Sequence, residues 1–161
     1  MKTPHDPLAV GVATNGASQV SIAPVDRWAE DKASIHEVVA GYYDTFARNS
    51  TAAAAFYGEP ALVVLPDEVL SLPTRKHVED FLAKALSSLK AFGYSSTRMS
   101  DSRVKMLNPT TALHGTVAVR MTSDGTEFER AAFTYLLHKG GAGWKIHQLV
   151  VTDVDHLISP D

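Results

Sequence analysis

A chain of 161 residues has the length of one globular domain. Its composition, 45% hydrophobic and 20% charged, with no apolar run of about 20 residues, excludes a helical membrane protein. The net charge of −3, with Lys and Arg scattered, argues against a nucleic-acid partner, and the lack of cysteine excludes thiolate catalysis and zinc–thiolate sites.

Residues 1–25 are rich in Gly, Ala, Ser, Thr and Pro and have no hydrophobic period. We expect them to form an N-terminal arm, followed by a folded domain over residues 26–161. The opening MKTPHDPLAV lacks the apolar core of a secretory signal. A cytoplasmic location is therefore expected.

Two helices are predicted next. The first follows Trp28, where apolar residues recur at helical spacing, namely Ile35, Val38, Val39, Tyr42 and Phe46. Ser34 with Glu37 forms one capping-box spacing, and Asp26 offers an earlier cap. A second, short helix is predicted over residues 52–56, with Gly58 as its left-handed end.

Prolines then bound a strand at residues 61–65, and a second short strand is predicted at residues 68–72. Thr74 is expected to cap a long helix that ends at Gly93. Its apolar positions keep helical spacing: Val78, Phe81, Leu82, Ala85, Leu89 and Phe92.

After Gly93 the hydrophobic period becomes two, and three turn signals divide the rest into four long strands of an antiparallel meander. Between residues 112 and 122, one face carries Leu113, Val117, Val119 and Met121 and is expected to face the core. The other face carries His114, Thr116 and Arg120. The predicted class is α+β, with three helices packed on a strongly curved, mainly antiparallel sheet.

This order of elements resembles the NTF2-like superfamily, the cystatin-like cone shared by ketosteroid isomerases, SnoaL-like cyclases and limonene epoxide hydrolase. Three stretches carry the resemblance: AGYYDTFARNSTAAAAFYGEPALVVLP, LPTRKHVEDFL and FTYLLHKGGAGWKIHQLVVTD. It covers about residues 28–156. The resemblance implies a mostly apolar cavity inside the cone, and we expect Tyr42, Phe46, Leu65, Arg130, Gln148 and Thr152 to line it.

The resemblance also implies roles for particular positions. Tyr42 matches the tyrosine with which ketosteroid isomerases stabilise an oxyanion, although most inward tyrosines are core aromatics. Leu65 stands where those isomerases carry their proton-transferring aspartate, and Val151 stands where epoxide hydrolases and cyclases carry a carboxylate. Aliphatic side chains cannot transfer protons. We therefore do not expect this chain to use the mechanisms of these relatives.

The remaining polar candidates lie on the last strands. Gln148 and Thr152 share a face by alternation, and either line the cavity or satisfy backbone groups at its rim. Arg130 alternates with Phe128, Ala132, Thr134 and Leu136, which suggests the inner face unless a β-bulge inverts it. Other charged candidates on these strands are His114, Arg120, Asp153 and Asp155. A buried arginine would bind a carboxylate or enolate through paired hydrogen bonds.

Two functions follow as expectations. One is a binding protein for a small hydrophobic or carbonyl-bearing molecule. The alternative is a lyase, isomerase or cyclase with Tyr42 as oxyanion donor and Asp153 or His147 as base. No short metal motif occurs among the histidines, so neither metal nor cofactor is expected. A homodimer is expected through the open sheet face, with Thr116, Ala118 and Arg120 in the interface.

Overall fold

The computed structural model describes residue 16 and residues 25–161, so most of the predicted arm lies outside the described residues. Three helices precede the long strands: α1 (Ala29–Arg48), α2 (Ser50–Ala53), which continues as a 3-10 turn (Ala54–Phe56), and α3 (Arg75–Ala91). The strands are β1 (Tyr57–Val64), β2 (Val69–Leu72), β3 (Tyr94–Asn108), β4 (Thr111–Thr122), β5 (Glu127–Gly140) and β6 (Gly143–Thr152).

The six strands form one sheet in the order β2-β1-β6-β5-β4-β3. Strands β3 to β6 form an antiparallel meander, β2 pairs antiparallel with β1, and β1 lies parallel to β6. Register shifts interrupt the β3–β4, β4–β5 and β5–β6 ladders, and such bulges bend a sheet. The predicted α+β class, with three helices on a curved, mostly antiparallel sheet, is confirmed.

Helix α1 begins at Ala29, with Trp28 as its N-cap residue, and Asp26 bonds the backbone just before it. The Asp26 carboxylate accepts a hydrogen bond from the Trp28 amide at 2.9 Å, and the Asp26 carbonyl accepts one from the Ala29 amide. The earlier of the two predicted starts is therefore the one used. The helix buries one apolar stripe against the sheet: Ile35, Val39, Tyr42, Tyr43 and Phe46.

One predicted helix end and one predicted capping hydrogen bond differ from the structure. Gly58 does not end a helix but lies within β1, where the His147 ring packs so closely that a Cβ would collide with it. Thr74 is the N-cap residue of α3, as predicted, but its hydroxyl makes no capping hydrogen bond and lies 2.8 Å from Nδ1 of His77. The first amide of α3 is instead bonded by Glu59 of β1, whose carboxylate accepts a hydrogen bond from the Arg75 amide at 2.6 Å.

The two faces of β4 are reversed relative to the prediction. His114 and Thr116 are fully buried on the inner face, toward the helices, while Val117 and Val119 are buried outside the main core cluster. The polar side chains tolerate this position because both find partners: the Thr116 hydroxyl donates to the Asp101 carbonyl at 2.7 Å, and His114 bonds Ser102.

A bulge at His147 sets which residues of β6 face inward. Ile146 pairs with Leu137, but the next residue on β5, Leu136, pairs with Gln148, so His147 is the extra residue. The alternation is thereby inverted after His147. Leu149 and Val151 consequently face the core, while Gln148 and Thr152 lie on the outer face.

Among the described residues, no helix has the length and apolar character needed to cross a membrane.

Candidate functional site

A cavity of about 180 Å³ lies between α1, α3 and the inner face of β4, β5 and β6. Its wall is largely aliphatic and aromatic. Fifteen residues line it: Tyr42, Tyr43, Phe46, Leu65, Phe81, Leu82, Ala85, Leu89, Thr97, Ala118, Arg120, Phe133, Tyr135, Leu149 and Val151. The two small residues on this wall are Ala85 of α3 and Ala118 of β4.

Leu65 and Val151 both line this cavity. These are the two positions where, by the resemblance, relatives carry a catalytic carboxylate. Among the described residues, neither a carboxylate nor an imidazole lines the cavity. A proton-transfer step would therefore lack a base on this wall.

Three tyrosines are among the residues that line the cavity: Tyr42, Tyr43 and Tyr135. The hydroxyls of Tyr43 and Tyr135 are hydrogen-bonded to each other at 2.7 Å and are buried. Burial raises the pKa of Tyr42 to about 12, and it raises the pKa of Tyr43 and Tyr135 well above the usual value for a phenol. All three are neutral hydrogen-bonding groups near pH 7 rather than acids or bases.

Arg120 is the one charged residue among the described residues that line the cavity. It extends from β4, and its guanidinium carbon lies 5.8 Å from the ring centroid of Phe133. Its side chain is 20% exposed and forms an ion pair with Glu129 on β5. The charge thus sits at the rim, between the apolar wall and solvent.

The sequence-predicted pocket residues divide into two groups. Tyr42, Phe46 and Leu65 line the cavity. Arg130 does not: it lies across from Val119 on the outer face, is half exposed, and pairs with Glu127. The inner charged position of this part of the sheet is taken by Arg120, one strand away.

Gln148 and Thr152 also lie outside the cavity, because the bulge at His147 turns them to the outer face. Of the two bases considered, His147 packs beside Gly58 and its Nδ1 lies 2.8 Å from the Pro60 carbonyl. Asp153 follows β6 and is 86% exposed, 3.4 Å from His156. Asp155 is exposed as well.

Sequence reasoning missed most of the strand residues on the wall. Leu149 and Val151 were missed because the bulge at His147 inverts β6, and Phe133 was missed because the face of β5 that carries Arg130 was expected to be the inner one. The helix residues Phe81 and Ala85 were already identified by the apolar stripe of α3, and the stripe marked which face of that helix points inward.

A second polar cluster lies on the inner face at His114, six residues from Arg120 along β4. At the rise per residue of a strand, this separation is about 20 Å. Oγ of Ser102 lies 2.9 Å from Nδ1 of His36 and 2.8 Å from Nε2 of His114. Burial, with the neighbouring His36 adding to it, lowers the pKa of His114 to about 4. Nδ1 of His114 is buried without a hydrogen-bond partner in the described structure. The cluster is neutral at pH 7.

Comparison with known families agrees with this architecture. The family described as NTF2-like protein (DUF6841) matches residues 30–154, and the chain belongs to this family. No curated protein sequence matches the chain.

Solved structures share the fold at low sequence identity. An NTF2-like protein with a cystatin-like fold from Novosphingobium aromaticivorans is 18% identical, with a TM-score of 0.63 over 80% of this chain and 85% of its own. A domain of unknown function with a cystatin-like fold from Nostoc punctiforme is 23% identical, with a TM-score of 0.60 over 76% of each chain. The yeast UBP3-associated protein BRE5 is 14% identical, with a TM-score of 0.58 over 78% of this chain and 94% of its own.

Proposed function

We propose that this chain is a small-molecule-binding member of the NTF2-like family that holds a small, largely apolar molecule in the cavity. The observation that carries the proposal is the wall itself: about 180 Å³ bounded mostly by aliphatic and aromatic side chains, with three tyrosines, one threonine and one arginine among the lining residues. Ligand sites have this composition, because apolar walls supply affinity and a few polar groups fix orientation. An engineered apolar cavity of about 150 Å³ stays dry and binds benzene.

Benzene is therefore a suitable first probe. Ligand-detected NMR on the full chain is expected to reveal saturable binding of benzene. Ala85→Leu, which adds three carbons on the cavity wall, is expected to abolish it. Ala83→Leu is the matched control, because Ala83 lies on the exposed side of the same helix. Absence of benzene binding, or equal binding by the two variants, would contradict the proposal.

A second candidate function is catalytic and depends on Tyr42. Its phenol is buried on the cavity wall with a pKa raised to about 12, so it can donate a hydrogen bond to a developing oxyanion. A lyase, isomerase or cyclase acting on a carbonyl compound would use such a donor. The absence of a base among the described wall residues makes binding the first candidate.

The oxyanion role of Tyr42 can be tested without knowing a substrate. p-Nitrophenol changes its absorption when it ionises, and a site that stabilises oxyanions binds the phenolate preferentially and lowers the apparent pKa of the bound dye. We expect Tyr42→Phe to reduce that shift. Thr97→Val is a control that removes another hydroxyl from the wall. A bound dye with an unchanged pKa in the wild-type protein would contradict this candidate.

The proposal includes a homodimer through the outer face of the sheet. Thr116, Ala118 and Arg120 are on the inner face, so they do not form that interface. The outer face instead carries half-buried Leu113, Leu136 and Val150. Light scattering is expected to give twice the chain mass of 17.4 kDa, and Leu136→Glu is expected to reduce it to one chain. A monomer in the wild-type protein would contradict the dimer but not the binding function.

A further inference from the structure

One ion pair closes the rim of the cavity. Arg120 and Glu129 lie directly opposite each other on β4 and β5, and Nη1 of Arg120 donates to the Glu129 carboxylate. Their exposures differ: the arginine side chain is 20% exposed and that of the glutamate 45%. Glu129 is therefore well hydrated if released, whereas Arg120 remains largely in protein surroundings and needs an anionic partner.

Arg120 stands between two spaces. On its inner side is the apolar cavity. On its outer side is an open depression of about 330 Å³ that shares Leu89 and Arg120 with the cavity wall. Phe92, which is 75% exposed, and Phe128 also line this depression. A molecule that enters through the depression meets the guanidinium before it reaches the interior.

The charge of Arg120 also acts on the interior. Burial is the main influence on the pKa of Tyr42, Tyr43 and Tyr94 and raises all three, while the positive charge of Arg120 lowers each of them. The guanidinium therefore favours negative charge within the cavity as well as at the rim.

We propose that the site binds a small carboxylic acid with an apolar body, and that the ligand's carboxylate replaces Glu129 on Arg120. This inference rests on the proposed binding function and names its ligand class. A planar guanidinium forms paired hydrogen bonds with a carboxylate, and these bonds are stronger where water is partly excluded. The ring or branched chain of the same ligand fills the apolar space behind Arg120.

The size of the cavity limits the apolar body. A space of about 150 Å³ accepts benzene, so about 180 Å³ accepts a single ring with a short acidic arm, or a branched aliphatic acid of similar volume. Phenylacetate has this form. Its neutral isostere phenylacetamide has nearly the same shape without the charge, so the pair separates recognition of the carboxylate from occupation of the cavity.

The test is calorimetric titration of the full chain with phenylacetate and with phenylacetamide. We expect the acid to bind about tenfold more tightly than the amide. Arg120→Gln is expected to remove this preference. Glu129→Gln is expected to increase the affinity for the acid, since it removes the competing carboxylate. Glu127→Gln is the matched control: it removes the same charge from the same strand, but Glu127 pairs with Arg130.

The outcomes separate the two proposals. If benzene binds but the amide binds as tightly as the acid, or if Glu129→Gln and Glu127→Gln change the acid affinity equally, the inference is overturned and the binding function stands. If neither benzene nor phenylacetate binds, both are overturned. Should Arg120→Gln not fold, the contrast between the two glutamate variants decides, because both glutamates are exposed.

Discussion

The hydroxyl of Tyr43 on α1 lies 2.7 Å from the hydroxyl of Tyr135 on β5, and both are buried. This bond joins the first helix to the centre of the sheet at the cavity wall. Each hydroxyl has the other as its hydrogen-bond partner. Removing one of them would leave the other buried without a partner, which would lower the stability of the folded chain.

A double-mutant cycle tests this coupling. Tyr43→Phe and Tyr135→Phe are each expected to lower the free energy of unfolding by about 1–3 kcal/mol, because each leaves one buried hydroxyl without a partner. The double variant is expected to cost less than the sum of the two, since no orphaned hydroxyl remains. Urea unfolding measures all four proteins, and strictly additive changes would contradict the coupling.

Because of His114, the free energy of unfolding is expected to decrease as the pH is lowered. Its pKa is lowered from 6.5 to about 4 in the folded chain, mainly by burial and then by His36. The folded state thus binds fewer protons than the unfolded state between these values. The free energy of unfolding is therefore expected to be highest above pH 6.5 and to decrease by on the order of 3 kcal/mol as the pH falls toward 4.

Urea unfolding of the wild-type chain and of His114→Gln between pH 4.5 and 7.5 measures this loss. The variant is expected to have a shallower slope in that window even if it is less stable overall. His77→Gln is a control, because His77 is exposed on α3. Equal slopes in the wild-type and His114→Gln proteins would contradict the assignment.

The start of α3 is expected to depend on Glu59 rather than on Thr74. The Glu59 carboxylate accepts a hydrogen bond from the Arg75 amide, whereas the Thr74 hydroxyl pairs with His77. Glu59→Ala is expected to cost about 1 kcal/mol of unfolding free energy, in the range of a lost helix cap, and Thr74→Ala distinctly less. The reverse order in urea unfolding would indicate that the threonine caps the helix.

The segment after β6 is expected to protect the edge strand β3. Ile158 packs over Gly115, where a Cβ would stand 2.9 Å from the isoleucine side chain, and Asp161 accepts a hydrogen bond from the Met106 amide. Ile158→Ser is expected to speed hydrogen exchange at Met106. Val154→Ser is the control, since Val154 is 45% exposed. Equal exchange in the two variants would mean that Ile158 does not anchor the segment.

The fold was predictable from sequence because its signals are local and repeated. The apolar stripes of α1 and α3, the turn at Gly125 and the left-handed Gly93 each specify an element without knowledge of its neighbours. Taken in chain order, these elements predict the α+β fold.

The site was less predictable because it depends on which side of a strand faces inward. One extra residue at His147 inverts β6 beyond it, and His114 and Thr116 are buried because α1 and β3 supply partners. Neither effect can be recognised from the residue types alone. Tyr42, Phe46 and Leu65 precede these strands, so their placement did not depend on the bulge.

The central claim is that an apolar space capable of holding a small molecule lies between α1, α3 and the sheet. A crystal structure determined under xenon pressure tests it most directly, because xenon enters dry apolar cavities and scatters strongly. We predict a xenon peak in contact with Phe81, Ala85 and Phe133. Side chains packed through that volume, with no xenon between them, would contradict the claim.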